Sequence, residues 1–172
     1  MKYAGINEND IADSNCGVCV SFWTQGCPHR CPGCHNPETW DFNGGLDLPE
    51  DYLERISEGI TANGLQRNLS ILGGEPLCDE NKELTNSIIN FVTNKFKNIK
   101  VTIWTGYTLE DLISRKDSTL ENILSKVYLL VDGPFIEEQR SLNIPLRGSK
   151  NQRLLYQEDI QRIKSQNIQT QN

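Results

Sequence analysis

The chain has 172 residues, a length typical of one compact domain, and no stretch of its composition suggests a second domain. Lys and Arg total 17 against 23 Asp and Glu, giving a net charge of -6 without a basic block, so we expect no direct contact with nucleic acid. The first residues lack the features of an export signal, and no run approaches the roughly 20 apolar residues that span a bilayer, which predicts a cytoplasmic protein with no membrane partner.

Four strands are predicted in chain order. They cover Val18 to Trp23, Leu69 to Leu72, Ile99 to Trp104 and Val127 to Val131. Each segment is short, is rich in β-branched or aliphatic residues, and is bounded by Gly, Pro or Asn. These properties are typical of strands that are buried inside a sheet.

Helices are predicted between the strands. Pro49 to Ala62 and Asn81 to Phe96 each place apolar residues three and four positions apart, which lines up one face of a helix. A third helix is expected to start at Thr108, where Asp111 is positioned for a capping box. A fourth is predicted for Leu120 to Lys126.

The alternation of strands and helices predicts an α/β fold. Such an order implies right-handed crossovers and a parallel sheet that is buried under helices. The chain is shorter than the roughly 250 residues of a closed eight-stranded barrel, so we expect a partial barrel or an open, mostly parallel sheet. We expect a single domain over residues 1–165 and a polar, disordered tail over residues 166–172.

Cysteine spacing is the main indication of function. Without an export signal, six cysteines favour metal binding or redox chemistry over disulfides. Cys27, Cys31 and Cys34 lie in the segment GCPHRCPGCHN after the first predicted strand, and three thiolates can hold a [4Fe-4S] cluster that leaves one iron open for a substrate. The spacing also allows a structural zinc site that uses Cys16, Cys19 and a pair from the later segment.

A second segment, GGEP at residues 73–76, follows the next predicted strand. The carboxyl ends of parallel strands meet at one edge of a sheet, so this segment and the cysteine segment are expected to be neighbours. Its glycines allow close backbone approach to a ligand, and the carboxylate of Glu75 favours a cation. Alone, the tetrapeptide is typical of a plain turn between a strand and a helix, but its place after the cysteine segment favours a binding role.

The pairing of CxxxCxxC after one strand with GGEP after the next resembles the radical S-adenosylmethionine enzymes. The segments CPHRCPGCHN, ETW, WTGY, VDGPF and RGSKNQR, which run in order from about Ser14 to Arg153, are similar to those of the activating proteins of anaerobic (class III) ribonucleoside-triphosphate reductases. This resemblance covers nearly the whole chain. It favours the iron-sulfur cluster over zinc and implies a fold of the radical S-adenosylmethionine type.

The resemblance also implies a set of binding residues and two cofactors. Cys27, Cys31 and Cys34 would hold a [4Fe-4S] cluster, with S-adenosylmethionine bound beside it. No side chain is assigned a catalytic role, because the two cofactors carry the chemistry. The residues implied to contact S-adenosylmethionine are Pro32, Gly33 and Cys34 along the adenosine, and Gly73, Gly74 and Glu75 at the methionine ammonium.

A protein substrate is implied as well. In the resembled family, reductive cleavage of S-adenosylmethionine produces a 5'-deoxyadenosyl radical, which removes an α-hydrogen from a glycine of the reductase. The implied partners are therefore the large subunit of anaerobic ribonucleoside-triphosphate reductase and a one-electron donor such as flavodoxin.

Three alternatives are weighed against this function. They are an activator of another glycyl-radical enzyme such as pyruvate formate-lyase, a small radical enzyme of deazapurine synthesis, and a non-enzymatic zinc-binding module. The WTGY and RGSKNQR segments argue against the first two, and metal analysis would separate the third.

The remaining candidate residues receive simpler interpretations. Cys16, Cys19 and Cys78 are expected to be buried or incidental thiols, and His29 and His35 to be hydrogen-bonding residues of the loop and not ligands.

Two further segments contain candidate residues. Trp104, Gly106 and Tyr107 are open to two interpretations, as a wall of the adenosine pocket or as core packing. The basic run from Arg147 to Arg153 is expected to be solvated.

Overall fold

The computed structural model describes residues 1–15 and 17–169, and side chains up to residue 167. Within these residues, seven strands form one sheet and five α-helices accompany it. The strands are β1 (Lys2–Asp10), β2 (Cys19–Thr24), β3 (Leu46–Asp47), β4 (Asn68–Gly73), β5 (Val101–Trp104), β6 (Leu129–Asp132) and β7 (Arg153–Tyr156). The helices are α1 (Tyr52–Thr61), α2 (Lys82–Lys95), α3 (Leu109–Ser114), α4 (Ser118–Lys126) and α5 (Gln157–Gln169).

The sheet is open and mostly parallel. Its spatial order is β3-β1-β2-β4-β5-β6-β7. Strands β2, β4, β5 and β6 are parallel neighbours in chain order, whereas β1 and β7 pair antiparallel to β2 and β6, and β3 pairs antiparallel to β1. The predicted α/β class with an open, mostly parallel sheet is therefore confirmed.

The predicted elements correspond to the centre of the fold. The four predicted strands are β2, β4, β5 and β6, and the four predicted helices are α1 to α4. At the start of α3, the Thr108 hydroxyl accepts from the Asp111 N–H at 3.2 Å, and the Asp111 carboxylate accepts from the Thr108 N–H at 3.3 Å, so the capping box is confirmed.

Four elements were not predicted: β1, β3, β7 and α5. The segment of β1 reads KYAGINEND and alternates poorly: Tyr3 and Ile6 pack against the core, and the strand is otherwise held by pairing with β2 and β3. Helix α5 continues through residues 166–169, where a polar tail was expected, and residues 170–172 lie outside the described part of the chain.

The hydrophobic core lies between the helices and one face of the sheet. In β4, Leu69 and Ile71 face the helices, and each is fully buried. Burial of an aliphatic side chain of this size contributes about 1.5–3 kcal/mol. The other members include Val20, Phe22, Val101, Ile103 and Leu130 from the neighbouring strands, and Ile56, Ile60, Ile88, Val92, Leu112, Ile123 and Ile160 from the helices.

The opposite face of the sheet is more polar. Ser21, Ser70 and Thr102 form a row across β2, β4 and β5 because they share one register. The segment between β1 and β2 covers this row: the Ser21 hydroxyl donates to the Asp10 carboxylate at 2.7 Å, and the Ser70 hydroxyl donates to the Asp13 carbonyl oxygen at 2.6 Å. Beyond this covered row, at the carboxyl ends of the parallel strands, the same sheet borders a cavity where the functional loops begin.

Within the described residues, no helix is long and apolar enough to cross a membrane.

Candidate functional site

The segment that carries the three cysteines is an irregular loop between β2 and a short 3-10 helix at Pro37–Thr39. Its start is tied to its end by a hydrogen bond from the Gly26 N–H to the Thr39 carbonyl at 2.8 Å and by another from the Cys27 N–H to the Trp40 carbonyl at 3.2 Å. The loop turns back on itself at Gly33, which has φ +71°. This left-handed conformation favours glycine at that position.

Most of the predicted site residues line one cavity of about 480 Å³. It lies at the carboxyl ends of the parallel strands, which is where α/β folds place their ligands. Pro32 and Gly33 are exposed and lie outside its lining, on the outer side of the loop. The predicted residues on its wall are Cys27, Cys31, Cys34, Gly73, Gly74 and Glu75.

The three thiols are half-buried. Burial raises the pKa of Cys27 to about 11 and also raises the pKa of Cys31, with backbone N–H groups of the loop opposing this effect. Within the described residues, no three His, Cys, Asp or Glu side chains are arranged to hold a single metal ion. A cluster makes a different demand, because each of its thiolates binds a separate iron.

The GGEP segment (residues 73–76) is packed directly against the start of the cysteine loop. The Gly74 N–H donates to the Thr24 carbonyl at 2.9 Å, and the Glu75 N–H donates to the Gly26 carbonyl at 2.8 Å. A Cβ atom on Gly74 would lie 2.3 Å from the Gly26 carbonyl oxygen, so only glycine permits this approach. The expectation that the two segments are neighbours is therefore confirmed.

The side chain of Glu75 points into the protein and is 1% exposed. Its Oε1 accepts hydrogen bonds from the Leu77 N–H at 2.9 Å and from the Thr105 hydroxyl at 2.8 Å. Its Oε2 lies 2.7 Å from the Gly106 nitrogen and 2.9 Å from Nε2 of His29. Within the described residues, the carboxylate thus joins GGEP to the end of β5 and to the cysteine loop.

The segment after β6 packs on the second half of the cysteine loop. The rings of Phe135 and His35 meet edge to face, with centroids 5.9 Å apart, and the backbone N–H of Phe135 faces the Cys31 thiol. The carboxylate of Glu137 lies over Gly33, where a Cβ atom would be 2.7 Å from its Cδ. The DGPF segment is therefore part of the support of the loop.

The basic run divides into three environments. Arg147 lines the cavity, and its guanidinium makes two long hydrogen bonds, to the carbonyls of Pro145 and Gln152 at 3.4 Å. Lys150 is exposed, as expected. Arg153 lies at the start of β7 and not in a loop, and its guanidinium, which forms an ion pair with buried Asp132, stays partly solvated with the side chain 39% exposed.

The other cysteines lie apart from the loop. Cys19 is buried at the start of β2, about 16 Å along the strand from its carboxyl end, so it cannot share a zinc ion with the loop cysteines. Cys78 is buried too, which raises the pKa of its thiol to about 12. Both agree with the expected buried thiols, while Cys16 lies outside the described residues.

Asn81 is a contact residue that sequence analysis missed. It is 3% exposed, and its amide donates to the carbonyls of Gln25, Gly26 and Glu75 at 3.0, 3.2 and 3.0 Å. This side chain therefore joins the cysteine loop to GGEP. An asparagine at the start of a helix is already explained as a cap, so no local signal indicated this contact.

Comparison with known proteins agrees with this geometry. The family described as a 4Fe-4S single cluster domain matches residues 15–155. The anaerobic ribonucleoside-triphosphate reductase-activating protein of Vibrio cholerae is 31% identical over 153 residues, which cover 88% of this chain and 96% of that protein. The protein of the same name from Enterobacteria phage T4 is 30% identical over 154 residues, covering 90% of this chain and 93% of its own.

The chain belongs to this family of activating proteins. The resemblance drawn from the cysteine and GGEP segments is therefore confirmed, and so is the [4Fe-4S] cluster as the cofactor of the family.

The cavity has the groups that a cluster of this activating-protein family requires. Three thiols lie on one wall, and the Asn36 N–H donates to the Cys34 sulfur at 3.4 Å, as N–H groups do around cluster ligands. The indole N–H of Trp40, also on the wall, is buried and has no hydrogen-bond partner among the described residues. A buried donor without a partner is satisfied when an anionic group binds beside it.

Proposed function

We propose that this chain binds a [4Fe-4S] cluster through Cys27, Cys31 and Cys34, cleaves S-adenosylmethionine reductively, and generates a glycyl radical on anaerobic ribonucleoside-triphosphate reductase. The observation that carries the proposal is the meeting of these cysteines with Gly74 and Glu75 on the wall of one cavity at the carboxyl ends of parallel strands. The choice of that reductase as the protein substrate is supported by the names of the relatives from Vibrio cholerae and phage T4.

The ligand set leaves one coordination position open. Cys27, Cys31 and Cys34 would hold three of the four irons of a [4Fe-4S] cluster, and the remaining iron would be available to the methionine moiety of S-adenosylmethionine. When both cofactors are bound, they supply the one-electron chemistry that cleaves the C5'–S bond and yields the 5'-deoxyadenosyl radical.

The protein contributes binding, orientation and protection. The backbone of Gly73 and Gly74 reaches the cavity wall without side chains, which lets the methionine moiety approach closely. Pro32 and Gly33 lie outside the cavity lining, and the proposal that they border the adenosine rests on the family resemblance. Trp23 and Trp104 also line the cavity, and we propose that their indole rings limit the access of water to it.

The architecture is compatible with a fold of the radical S-adenosylmethionine type. The helices pack on one face of the sheet, and the other face remains open beside the cysteine loop. A segment of a partner protein can therefore approach the cavity without displacing a helix. We propose that this segment is the glycine-containing segment of the reductase. A flavodoxin-like protein of the cytoplasm is proposed as the electron donor. Neither nucleic acid nor a membrane is proposed as a partner.

Anaerobic reconstitution tests the cofactor. Wild-type protein is expected to bind about four iron atoms per chain and, after reduction, to convert S-adenosylmethionine to 5'-deoxyadenosine. Cys31→Ala is expected to abolish 5'-deoxyadenosine formation while the circular dichroism spectrum stays unchanged. Cys19→Ser is the matched control, since Cys19 lies outside the cavity lining, and it should retain both iron and cleavage. Colourless wild-type protein that retains only zinc would contradict the proposal.

A second measurement tests the substrate. The reduced protein, S-adenosylmethionine and the reductase are combined, and electron paramagnetic resonance (EPR) is used to look for a glycyl radical. Substitution of the acceptor glycine by alanine in the reductase should remove the signal. If S-adenosylmethionine is cleaved but no radical forms on the reductase, the proposed cleavage reaction stands and the proposed protein substrate is wrong.

A further inference from the structure

The carboxylate of Glu75 is committed to the protein. Its two oxygens accept from the Leu77 N–H, the Thr105 hydroxyl, the Gly106 N–H and His29, at distances of 2.7 to 2.9 Å. A carboxylate offers roughly four lone-pair positions, so these contacts use its full capacity. Although Glu75 lines the cavity, its side chain is 1% exposed, and both carboxylate oxygens are directed to protein groups.

His29 is the member of this group that belongs to the cysteine loop. It stands two residues after Cys27, between the first and second proposed ligands. A carboxylate accepts hydrogen bonds and does not donate them, so Nε2 of His29 carries the hydrogen of the 2.9 Å contact with Glu75. The tautomer is thereby assigned from the hydrogen bond.

The ring of His29 packs against the WTGY segment (residues 104–107), which begins at the last residue of β5. A Cβ atom on Gly106 would lie 2.5 Å from the imidazole, so glycine is needed for the ring to fit. The Tyr107 ring meets the imidazole edge to face with centroids 4.4 Å apart, and the Arg115 guanidinium lies 3.9 Å from the centroid of the Tyr107 ring. The ring of His29 is therefore held by a hydrogen bond at one atom and by packing around it.

We infer that His29 is a positioning residue: Glu75 and the WTGY segment hold its ring and thereby set the course of the loop between Cys27 and Cys31. The inference rests on the proposed function, because the position of the loop matters through the cluster that it carries. Residues that orient metal ligands through hydrogen bonds are a general feature of metal sites. The carboxylate of Glu75 then serves the loop, and the methionine ammonium is received by backbone groups of the GGEP segment.

His29→Ala and His29→Gln, studied in the full chain, test this inference. The measurements are iron per chain, the EPR line shape of the reduced cluster without S-adenosylmethionine, and KM and kcat for its cleavage. His29→Ala is expected to alter the line shape and to lower kcat by about 10- to 100-fold, while His29→Gln, which restores an N–H donor toward Glu75, recovers most of the rate. An unchanged line shape and rate in His29→Ala, or equal losses in both variants, would overturn the inference.

Glu75→Gln separates the two roles of the carboxylate. A positioning role predicts a changed line shape already in the absence of S-adenosylmethionine. A higher KM with an unchanged line shape would mean that the carboxylate binds the ammonium directly, and this outcome overturns the inference.

Two controls keep the test decisive. If His29→Ala does not fold, Tyr107→Leu takes its place. This variant removes the packing of the Tyr107 ring against His29 and leaves the hydrogen bond between His29 and Glu75. An unchanged EPR line shape in Tyr107→Leu would overturn the inference. Wild-type protein that binds no iron or does not cleave S-adenosylmethionine contradicts the proposed function itself. An active wild-type protein whose line shape and rate are unchanged by His29→Ala contradicts only the positioning role.

Discussion

Two buried carboxylates, Glu75 after β4 and Asp132 at the end of β6, serve different purposes. Asp132 is fully buried and accepts from the Leu109 N–H at 2.7 Å and from the guanidinium of Arg153 at 2.5 and 2.9 Å. Glu75 is equally buried, but in place of a guanidinium it has backbone N–H groups, a hydroxyl and His29.

The partners explain the difference. Those of Asp132 belong to α3 and β7, which pairing and packing already hold in place, so this carboxylate supports the framework. Glu75 reaches the irregular cysteine loop, whose course depends on side-chain contacts. A buried carboxylate at a strand end therefore indicates a site only when its partners belong to a functional loop.

Removal of the framework carboxylate should have the largest effect on stability. Asp132→Ala leaves the buried Leu109 N–H without its acceptor and removes one of the two ion-pair partners of Arg153, and it is expected to lower the free energy of unfolding by about 3 kcal/mol. Urea unfolding followed by circular dichroism measures this loss, and the protein that remains folded should still bind iron. Glu110→Gln is the control, because Glu110 is an exposed partner of Arg153 and should cost less than about 1 kcal/mol. Equal costs would remove the distinction between buried and exposed partners.

A smaller change probes the carboxylate that serves the loop. The buried Thr105 hydroxyl donates to Glu75 and accepts from the Tyr107 N–H. Thr105→Val keeps the shape of the side chain, removes both hydrogen bonds, and is expected to cost about 1.5 kcal/mol. Thr102→Val is matched to it, because Thr102 is also buried in β5 and its hydroxyl has no hydrogen bond among the described residues. Thermal or urea unfolding should show a clear loss for the first variant and almost none for the second. Similar losses would mean that the Glu75 bond contributes nothing specific.

A third carboxyl group, Asp13, extends the comparison to a side chain with an acidic neighbour. Burial and the charge of Asp10 raise the pKa of Asp13 to about 6 from 3.8. As the pH rises through this interval, the unfolded chain releases the proton first, so wild-type stability falls between about pH 4 and pH 6 and stays lower above.

Asp13→Asn should therefore be more stable than the wild type above this interval. After a discount for partial exposure to solvent, we expect about 1 kcal/mol at pH 8 and no difference below about pH 4. Urea unfolding at several pH values measures the gain. The same pH dependence in both proteins would show that Asp13 titrates normally.

Much of the fold could be predicted because its signals are local. The parallel strands β2, β4, β5 and β6 are continuous apolar segments, and α1 to α4 carry helical periodicity and caps. The antiparallel strands β1 and β7 could not be predicted in this way, because each is held largely by pairing, β1 with β2 and β3 and β7 with β6, and carries few buried apolar residues of its own.

The site divides along the same line. By itself, the sequence determined the cysteine spacing, the GGEP segment and the family, since these are properties of neighbouring residues. Three contacts became visible in the folded chain alone: His29 meets Glu75, Thr105 and Gly106 donate hydrogen bonds to the Glu75 carboxylate, and Arg153 pairs with Asp132. Such contacts join segments that are 20 to 50 positions apart in the chain, and their geometry depends on how the strands align in the sheet, which no local pattern records.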